Sequence, residues 1–283
     1  MSSPAKINLR LKVLGKRPDG FHELDTIFQE IALADTLEFH PSREWHLDIS
    51  GMELDAGESN LVTRAARALA REANVPCRAR IVLHKVIPSG GGLGGGSSNA
   101  AITLLGLSRL WGLGWEATRL EPLAAHLGSD CTFFLYGGLA RGSGRGEVID
   151  LIDHRIDRSI VLVIPPFGIS TAEVFGWSEF SLTDDEKNVI LEFRKNLYWP
   201  NLTDSSFYCN DLEILVLSRY DELNRIKSEF LREGAECALL SGSGSCIFAA
   251  YSDPSRALRA AQQFREPYRT VISHTVSRPR LRV

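Results

Sequence analysis

Ile87-Pro88-Ser89-Gly90-Gly91-Gly92-Leu93-Gly94-Gly95-Gly96-Ser97-Ser98-Asn99-Ala100-Ala101 packs six glycines into the seven positions from Gly90 to Gly96. Before it, Arg78–Val86 reads as a strand; after it, Ala100–Trp111 has the broad apolar face of a buried helix, with Ala101, Leu104, Leu105 and Leu107. Glycine lets backbone N–H groups turn inward and lets a bulky anion approach with no Cβ in the way. The helix start at Ser97 and Ser98 adds N–H donors, hydroxyls and the positive end of the helix dipole. Converging donors of this kind form a nest suited to an oligophosphate, whose charge must be neutralised while its terminal phosphoryl group is held in line.

Three other readings of the loop are weaker. Gly90, Gly92 and Gly95 satisfy G-x-G-x-x-G, but a dinucleotide fold places an acidic residue about 20 positions on, at the end of a strand. Glu116 has that spacing and opens a helix instead. A P-loop needs Gly-Lys-Ser/Thr after the glycines, and none follows. A flexible linker does not usually join a β-branched strand directly to a strongly apolar helix.

Outward from the loop, Pro4–Val13 alternates cleanly, with Ile7, Leu9, Leu11 and Val13 on one face and Lys6, Asn8, Arg10 and Lys12 on the other, the pattern of a half-buried strand. Arg17-Pro18-Asp19-Gly20 is a turn, Ile27–Phe39 mixes alternation with polar breaks, and Trp45–Ile49 is a short strand. Glu58–Asn74 is a helix that Ser59 or Asn60 caps; Trp115–Leu127 is another, ended by Gly128, and Glu147–Ile152 is a strand. Polar Asp153–Arg158 then precedes the apolar strand Ser159–Ile164, which sets a domain boundary there: residues 1–157 and 158–283. The second half carries helical segments at Ala172–Trp177, Thr183–Leu197, Asp211–Tyr220, Glu222–Glu233 and Pro254–Phe264, and strands at Cys237–Leu240 and Cys246–Tyr251. Strands and helices interleave in both halves, without internal repeats.

The composition is that of a soluble globular protein, 44% apolar and 24% charged, and 283 residues suffice for two domains. A net charge of −3 gives no broad basic surface for nucleic acid or anionic membrane, so neither partner is expected. Five scattered cysteines without C-x-x-C suit reduced thiols, and the seven histidines lack metal-binding spacing, so no protein metal site is expected. MSSPAKINLRLKV has no continuous apolar run of the secretory type, and Ile160–Ile164 is too short to span a bilayer; a cytoplasmic location is expected. No feature specifies an oligomeric state.

The glycine loop resembles the phosphate-binding motif of the GHMP kinase superfamily, and the early PAKINLRLKV and late LSGSGSCIFA agree with it in order and type. Within the superfamily, RPDGFHELDTIFQEI, NLVTRAARAL, LGSDCTFFLYGGLARGSGRGE and the NDLE at Asn210–Glu213 are similar to the branch that phosphorylates a cytidine diphosphate methylerythritol in the non-mevalonate isoprenoid pathway. The DGFHEL and LGSDCTFF segments narrow it to that branch. The resemblance implies an α+β two-domain fold, ribosomal-protein-S5-like and then ferredoxin-like, with ATP and a small-molecule substrate meeting in the cleft between the domains. The γ-phosphoryl of ATP would pass to the substrate's 2-hydroxyl, with Mg²⁺ carried by the nucleotide.

Residue by residue, the resemblance implies that Asp130 accepts or orients the substrate hydroxyl proton; from the residues alone it could equally be a helix N-cap. Lys6 would stabilise negative charge on Asp130, on the substrate hydroxyl and on the transferring phosphoryl group, where alternation alone makes it a charge on a solvated strand face. Asn8, on the same face, would bind substrate. His22 would hydrogen-bond the cytosine edge and Phe21, in place of the tyrosine common among relatives, would stack on it. Phe175 would form a second aromatic wall, with Thr171 as a polar contact. Asn60 and Lys85 would lie near the adenine, although a helix cap and a strand-end charge are the simpler readings of each. Gly242-Ser243-Gly244 would support the phosphate loop or be a tight turn, or both. The rivals are another GHMP kinase acting on homoserine or a mevalonate derivative, and a nucleotide-binding regulator that has lost catalysis. A base-stacking site argues against the first, and Lys6 with Asp130 against the second.

Overall fold

The computed structural model describes residues 1–177 and 207–277, and the helix expected at Thr183–Leu197 lies outside them. The alternating N-terminal segment extends into β1 (Ser2–Lys16), which folds back through the Arg17–Gly20 turn into β2 (His22–His40), antiparallel with Lys16 opposite His22. The turn is closed by the Gly20 N–H donating to the Arg17 carbonyl at 3.1 Å, and the Asp19 carboxylate accepts from the Phe21 N–H at 3.1 Å.

β2 is long enough to take two partners on its far edge. Leu24–Gln29 pairs with β5 (Leu139–Gly144), and Thr36–His40 with β4 (Ala79–His84). Between them the pairing with β1 slips at Pro4/Ala5, a bulge that resets the in–out alternation and explains why Ile27–Phe39 reads as a strand with polar breaks. β3 (Trp45–Ser50) runs parallel to β4, β6 (Val148–Leu151) pairs with β5, and the two-residue β8 (Cys209–Asn210) lies parallel to β1 on its other edge, completing a seven-stranded sheet.

Four helices cover one face of this sheet: α1 (Leu61–Glu72), α2 (Gly95–Leu110), α3 (Ala117–Leu127) and α4 (Cys131–Tyr136). Their apolar stripes, with Val62, Leu69, Leu104, Leu107 and Phe133, meet Phe28, Leu37, Ile81 and Leu83 of the strands in one core. Helix α2 starts five residues before the apolar pattern does, inside the glycine run, because Gly95 packs against Ile87; a Cβ there would come within 2.8 Å of the Ile87 side chain.

The second sheet is antiparallel in the order β11-β7-β10-β9, built from β7 (Ser159–Ile164), β9 (Cys237–Leu240), β10 (Ile247–Tyr251) and β11 (Arg269–His274). Counted within this sheet the order is 4-1-3-2, the ferredoxin-like arrangement. β7 is apolar at nearly every position because both of its faces are buried. Ile160, Leu162 and Ile164 pack against Ile7, Leu9, Ile27 and Ile31 of the first sheet. Val161 and Val163 face Leu223, Ile226, Phe230 and Ala257, from α7 (Asp221–Arg232) and α8 (Pro254–Ala261). The layers are helices, sheet, sheet, helices, which is the expected α+β architecture.

This stacking corrects the expectation of a half-solvated β1. Its apolar face meets the second sheet, and on its other face Lys6 and Asn8 are 3% and 1% exposed. Among the described residues no helix is long and apolar enough to cross a membrane.

Candidate active site

A cavity of about 870 Å³ opens on the polar face of β1, lined by β1, the β1–β2 turn, the glycine loop, the start of α4, helix α5 (Thr171–Gly176) and the turn after β9. Its floor is the loop. Both stems of the loop are clamped by Asp35, fully buried in β2. Asp35 accepts from the Val86 and Ile87 N–H groups at 2.6 and 2.8 Å on the strand side, and from Asn99 Nδ2 of α2 at 2.8 Å on the helix side. Lys85 Nζ completes this buried network, 2.6 Å from Asp35 Oδ2 and 3.3 Å from Asn99 Oδ1. Within the loop Leu93 is the anchor: its side chain is buried in the inter-sheet core, and its carbonyl accepts from the Lys6 N–H at 3.0 Å. Gly92 and Gly94 flank it with φ of +73° and +69°, in the left-handed region where glycine is favoured. Around them Pro88, Ser89, Gly90, Gly91, Gly95, Gly96 and Ser97 line the cavity. The first N–H groups of α2, which have no acceptor within their own helix, begin here.

Beside the loop stand Lys6 and Asp130. Lys6 Nζ is 3.2 Å from Asp130 Oδ2 and donates to Asn8 Oδ1 at 2.7 Å. Asn8 is held in turn by its Nδ2, which donates to Thr26 Oγ1 at 2.7 Å, and the Thr26 hydroxyl donates to the Arg10 carbonyl at 2.7 Å. This chain of donors fixes the Asn8 carbonyl oxygen toward the lysine. Asp130 occupies the N-cap position of α4 with helical dihedrals and makes no side-chain capping bond. Its carboxylate, 29% exposed, lies beside the lysine and lines the cavity.

Aromatic groups gather at the far end. His22 and Phe175 stack with ring centroids 4.8 Å apart and 24° between planes. Phe21 is exposed, and the Arg145 guanidinium lies 4.7 Å from its ring centre. Burial, and secondly the charge of Lys16, hold the His22 imidazole below the usual histidine pKa, so the ring is neutral at physiological pH. Thr171 Oγ1 is 2.8 Å from Ser243 Oγ, joining α5 to the Gly242–Gly244 turn. That turn both supports the loop and turns tightly: Ser241 Oγ donates to the Gly92 carbonyl at 3.0 Å, and the Gly244 N–H donates to the Ser241 carbonyl at 2.9 Å.

Two expected site residues stand elsewhere. Asn60 caps α1, accepting from the Val62 N–H at 2.9 Å and donating to the Asp55 carbonyl at 2.7 Å, and Leu61 rather than Asn60 lines the cavity. Ser98 is fully buried and accepts from the Ser3 hydroxyl at 2.8 Å, leaving Ser97 as the serine at the cavity wall. Sequence reasoning missed Asp35 and Arg145. An acidic residue inside an otherwise apolar strand signals the first; the second lies in a glycine-rich turn where nothing singles it out.

Two family models match the chain, GHMP kinases N terminal domain over residues 60–138 and GHMP kinases C terminal over residues 186–270. Among curated proteins, the 4-diphosphocytidyl-2-C-methyl-D-erythritol kinase of Moorella thermoacetica is 41% identical over 96% of this chain and 96% of its own length. That of Pelotomaculum thermopropionicum is 38% identical over 98% and 97%. A crystal structure of 4-(cytidine 5'-diphospho)-2C-methyl-D-erythritol kinase superposes with a TM-score of 0.78 at 33% identity, covering 98% of this chain and 99% of that one. With its two sheets, its glycine loop and these matches, the chain is a GHMP kinase. Within that class it belongs to the 4-diphosphocytidyl-2-C-methyl-D-erythritol kinase family.

Proposed function

We propose that this enzyme transfers the γ-phosphoryl group of ATP to the 2-hydroxyl of 4-diphosphocytidyl-2-C-methyl-D-erythritol, giving the 2-phosphate and ADP in the non-mevalonate route to isoprenoid precursors. The observation that carries this reading is that one cavity is lined by the phosphate loop, by Lys6 with Asp130, and by the aromatic groups His22, Phe175 and Phe21. A nucleotide's phosphates at one end and a cytosine at the other leave the methylerythritol between them, beside the charge pair.

In this arrangement the loop's N–H groups and the N-terminus of α2 bind the ATP phosphates. Mg²⁺, carried by the nucleotide, would neutralise phosphate charge there. A Cβ on Gly94 would come within 2.9 Å of the Phe134 ring and one on Gly95 within 2.8 Å of the Ile87 side chain, so glycine at these positions lets the loop pack closely on the groups behind it. Asp130 accepts the proton of the 2-hydroxyl as its oxygen attacks. Lys6 has three N–H bonds; two are directed to Asn8 and Asp130, and the third meets the transferring phosphoryl oxygen. His22, neutral, hydrogen-bonds the cytosine edge while Phe21 and Phe175 hold its faces. Lys85 acts through Asp35 and Asn99 on the shape of the loop. Both substrates are soluble nucleotides, in keeping with a cytoplasmic reaction.

The test is product identity. With ATP and Mg²⁺, the cytidyl substrate should gain one phosphoryl group by mass, and phosphorus–proton coupling should place it at the 2-oxygen. A phosphoryl group at another hydroxyl, or none with ATP demonstrably bound, overturns the reading.

A further inference from the structure

We infer that Asn210 and Glu213, the ends of the NDLE segment, are positioning residues that hold the Leu240–Gly244 turn against Lys6 and the phosphate loop; this rests on the phosphoryl-transfer reading above. The segment joins β8 to the short helix α6 (Glu213–Leu217) and is rich in buried polar bonds. Asn210 and Glu213 are 6% and 9% exposed. Asn210 Nδ2 donates to both the Leu240 and Gly242 carbonyls, at 2.9 and 2.7 Å, while its Oδ1 accepts from the Leu212 N–H at 3.0 Å. Glu213 Oε1 accepts from the Leu240 N–H at 2.9 Å, and its other oxygen pairs with Lys227. Three of these bonds therefore converge on the Leu240 and Gly242 backbone, where the last strand-like residue of β9 gives way to the turn.

The other side of the segment is fastened to the strand that carries Lys6. Arg10 and Leu11 of β1 pair in parallel with Cys209 and Asn210, the Asp211 N–H donates to the Leu11 carbonyl at 3.0 Å, and the Asp211 carboxylate takes the Val13 N–H and Lys12 Nζ. NDLE is thus a bracket with one arm on β1 and the other on the turn. The turn sits where small displacements matter. A Cβ on Gly242 would lie 3.4 Å from both Lys6 Nζ and the Gly92 carbonyl oxygen, and one on Gly92 would strike the Ser241 carbonyl oxygen at 1.8 Å. With so little clearance, the bracket sets how close the turn comes to the ammonium and the loop. A misplacement of about 1 Å at a reacting centre costs on the order of 10²-fold in rate.

The test compares Asn210→Asp, Asn210→Ala, Glu213→Leu and Glu213→Gln with wild type, reading kcat with the cytidyl substrate per ATP-binding site, the sites counted by calorimetric titration. Asn210→Asp keeps the acceptor for Leu212 and removes both donors, and Glu213→Gln keeps the acceptor for Leu240. The proposal expects kcat per site to fall about 10²-fold in both Asn210 variants and in Glu213→Leu, with Glu213→Gln restoring most of the loss. A merely structural role would lower the number of ATP-binding sites and leave kcat per site unchanged, which overturns the proposal. So does failure of all four variants to retain any ATP-binding sites. Should only the Asn210 variants be lost, equal turnover per site in Glu213→Leu and wild type overturns it as well. Wild type that binds ATP but does not turn over would instead sink the substrate assignment.

Discussion

Phe21 is 51% exposed, and apart from the Arg145 guanidinium over its ring it carries little of the core, so truncating it tests recognition rather than folding. Stacking of a base on an aromatic ring contributes about 1–3 kcal/mol. Phe21→Ala should therefore raise KM for the cytidyl substrate about tenfold or more, with kcat and KM for ATP little changed; an unaltered KM in steady-state kinetics removes Phe21 from the site. His22 yields a pH prediction. Its pKa is lowered by burial and by Lys16, so the binding-competent neutral ring persists down to pH values under the usual histidine figure of about 6.5. As pH falls further the ring protonates, and kcat/KM for the cytidyl substrate should fall with it. His22→Gln, with a donor and an acceptor but no titration, should lose that acid limb; the same limb in the variant would assign it to another group. Lys6 and Asp130 were legible only through their motifs. Alternation put Lys6 in solvent because a single strand does not show what packs on its polar face, and Asp130 does stand at a helix start, without a capping bond and beside Lys6.

The glycine loop was legible as an element from composition alone, because a run of glycine between a strand and a buried helix has few uses other than backbone access. What sequence did not show is how the loop is held. Asp35 joins both stems from a third strand, and the partner that meets Gly92 comes from the far half of the chain. Gly92→Ala tests this. The substitution places a side chain at φ +73°, costing about 1–2 kcal/mol, and drives a Cβ to 1.8 Å from the Ser241 carbonyl oxygen, so the loop or the turn must move. A lower melting temperature together with ATP affinity weakened about tenfold or more is the expected outcome; wild-type ATP affinity by titration would mean that the loop does not bind phosphate in this conformation. The strands that the sequence concealed, β5, β8 and β11, are short, glycine-bearing or poor in apolar residues, so periodicity gave no signal, and the bulge in β2 broke the pattern of a strand that is in fact continuous.

At the scale of the molecule, the order of helices, sheet, sheet, helices follows from which strands are apolar on both faces. β7 is, and it lies between two cores; β1 turns its apolar face to the second sheet and its polar face, with Lys6 and Asn8, to the cavity. The family resemblance implied the α+β architecture, and neither it nor the interleaving of strands and helices showed that β8, from the second half, would complete the first sheet beside Arg10 and Leu11 of β1. Such long-range pairing has no local signature. The substrate reading draws on the same surface, since one cavity is lined by the phosphate loop and by the stacked His22 and Phe175 rings. The most direct measurement is ADP release with Mg²⁺ and ATP on 4-diphosphocytidyl-2-C-methyl-D-erythritol, homoserine and mevalonate side by side, for wild type and Asp130→Asn. The account predicts turnover on the cytidyl substrate alone, reduced by about 10² to 10⁴-fold in Asp130→Asn with ATP binding retained. Turnover on homoserine or mevalonate instead, or an Asp130→Asn variant as fast as wild type, would contradict it.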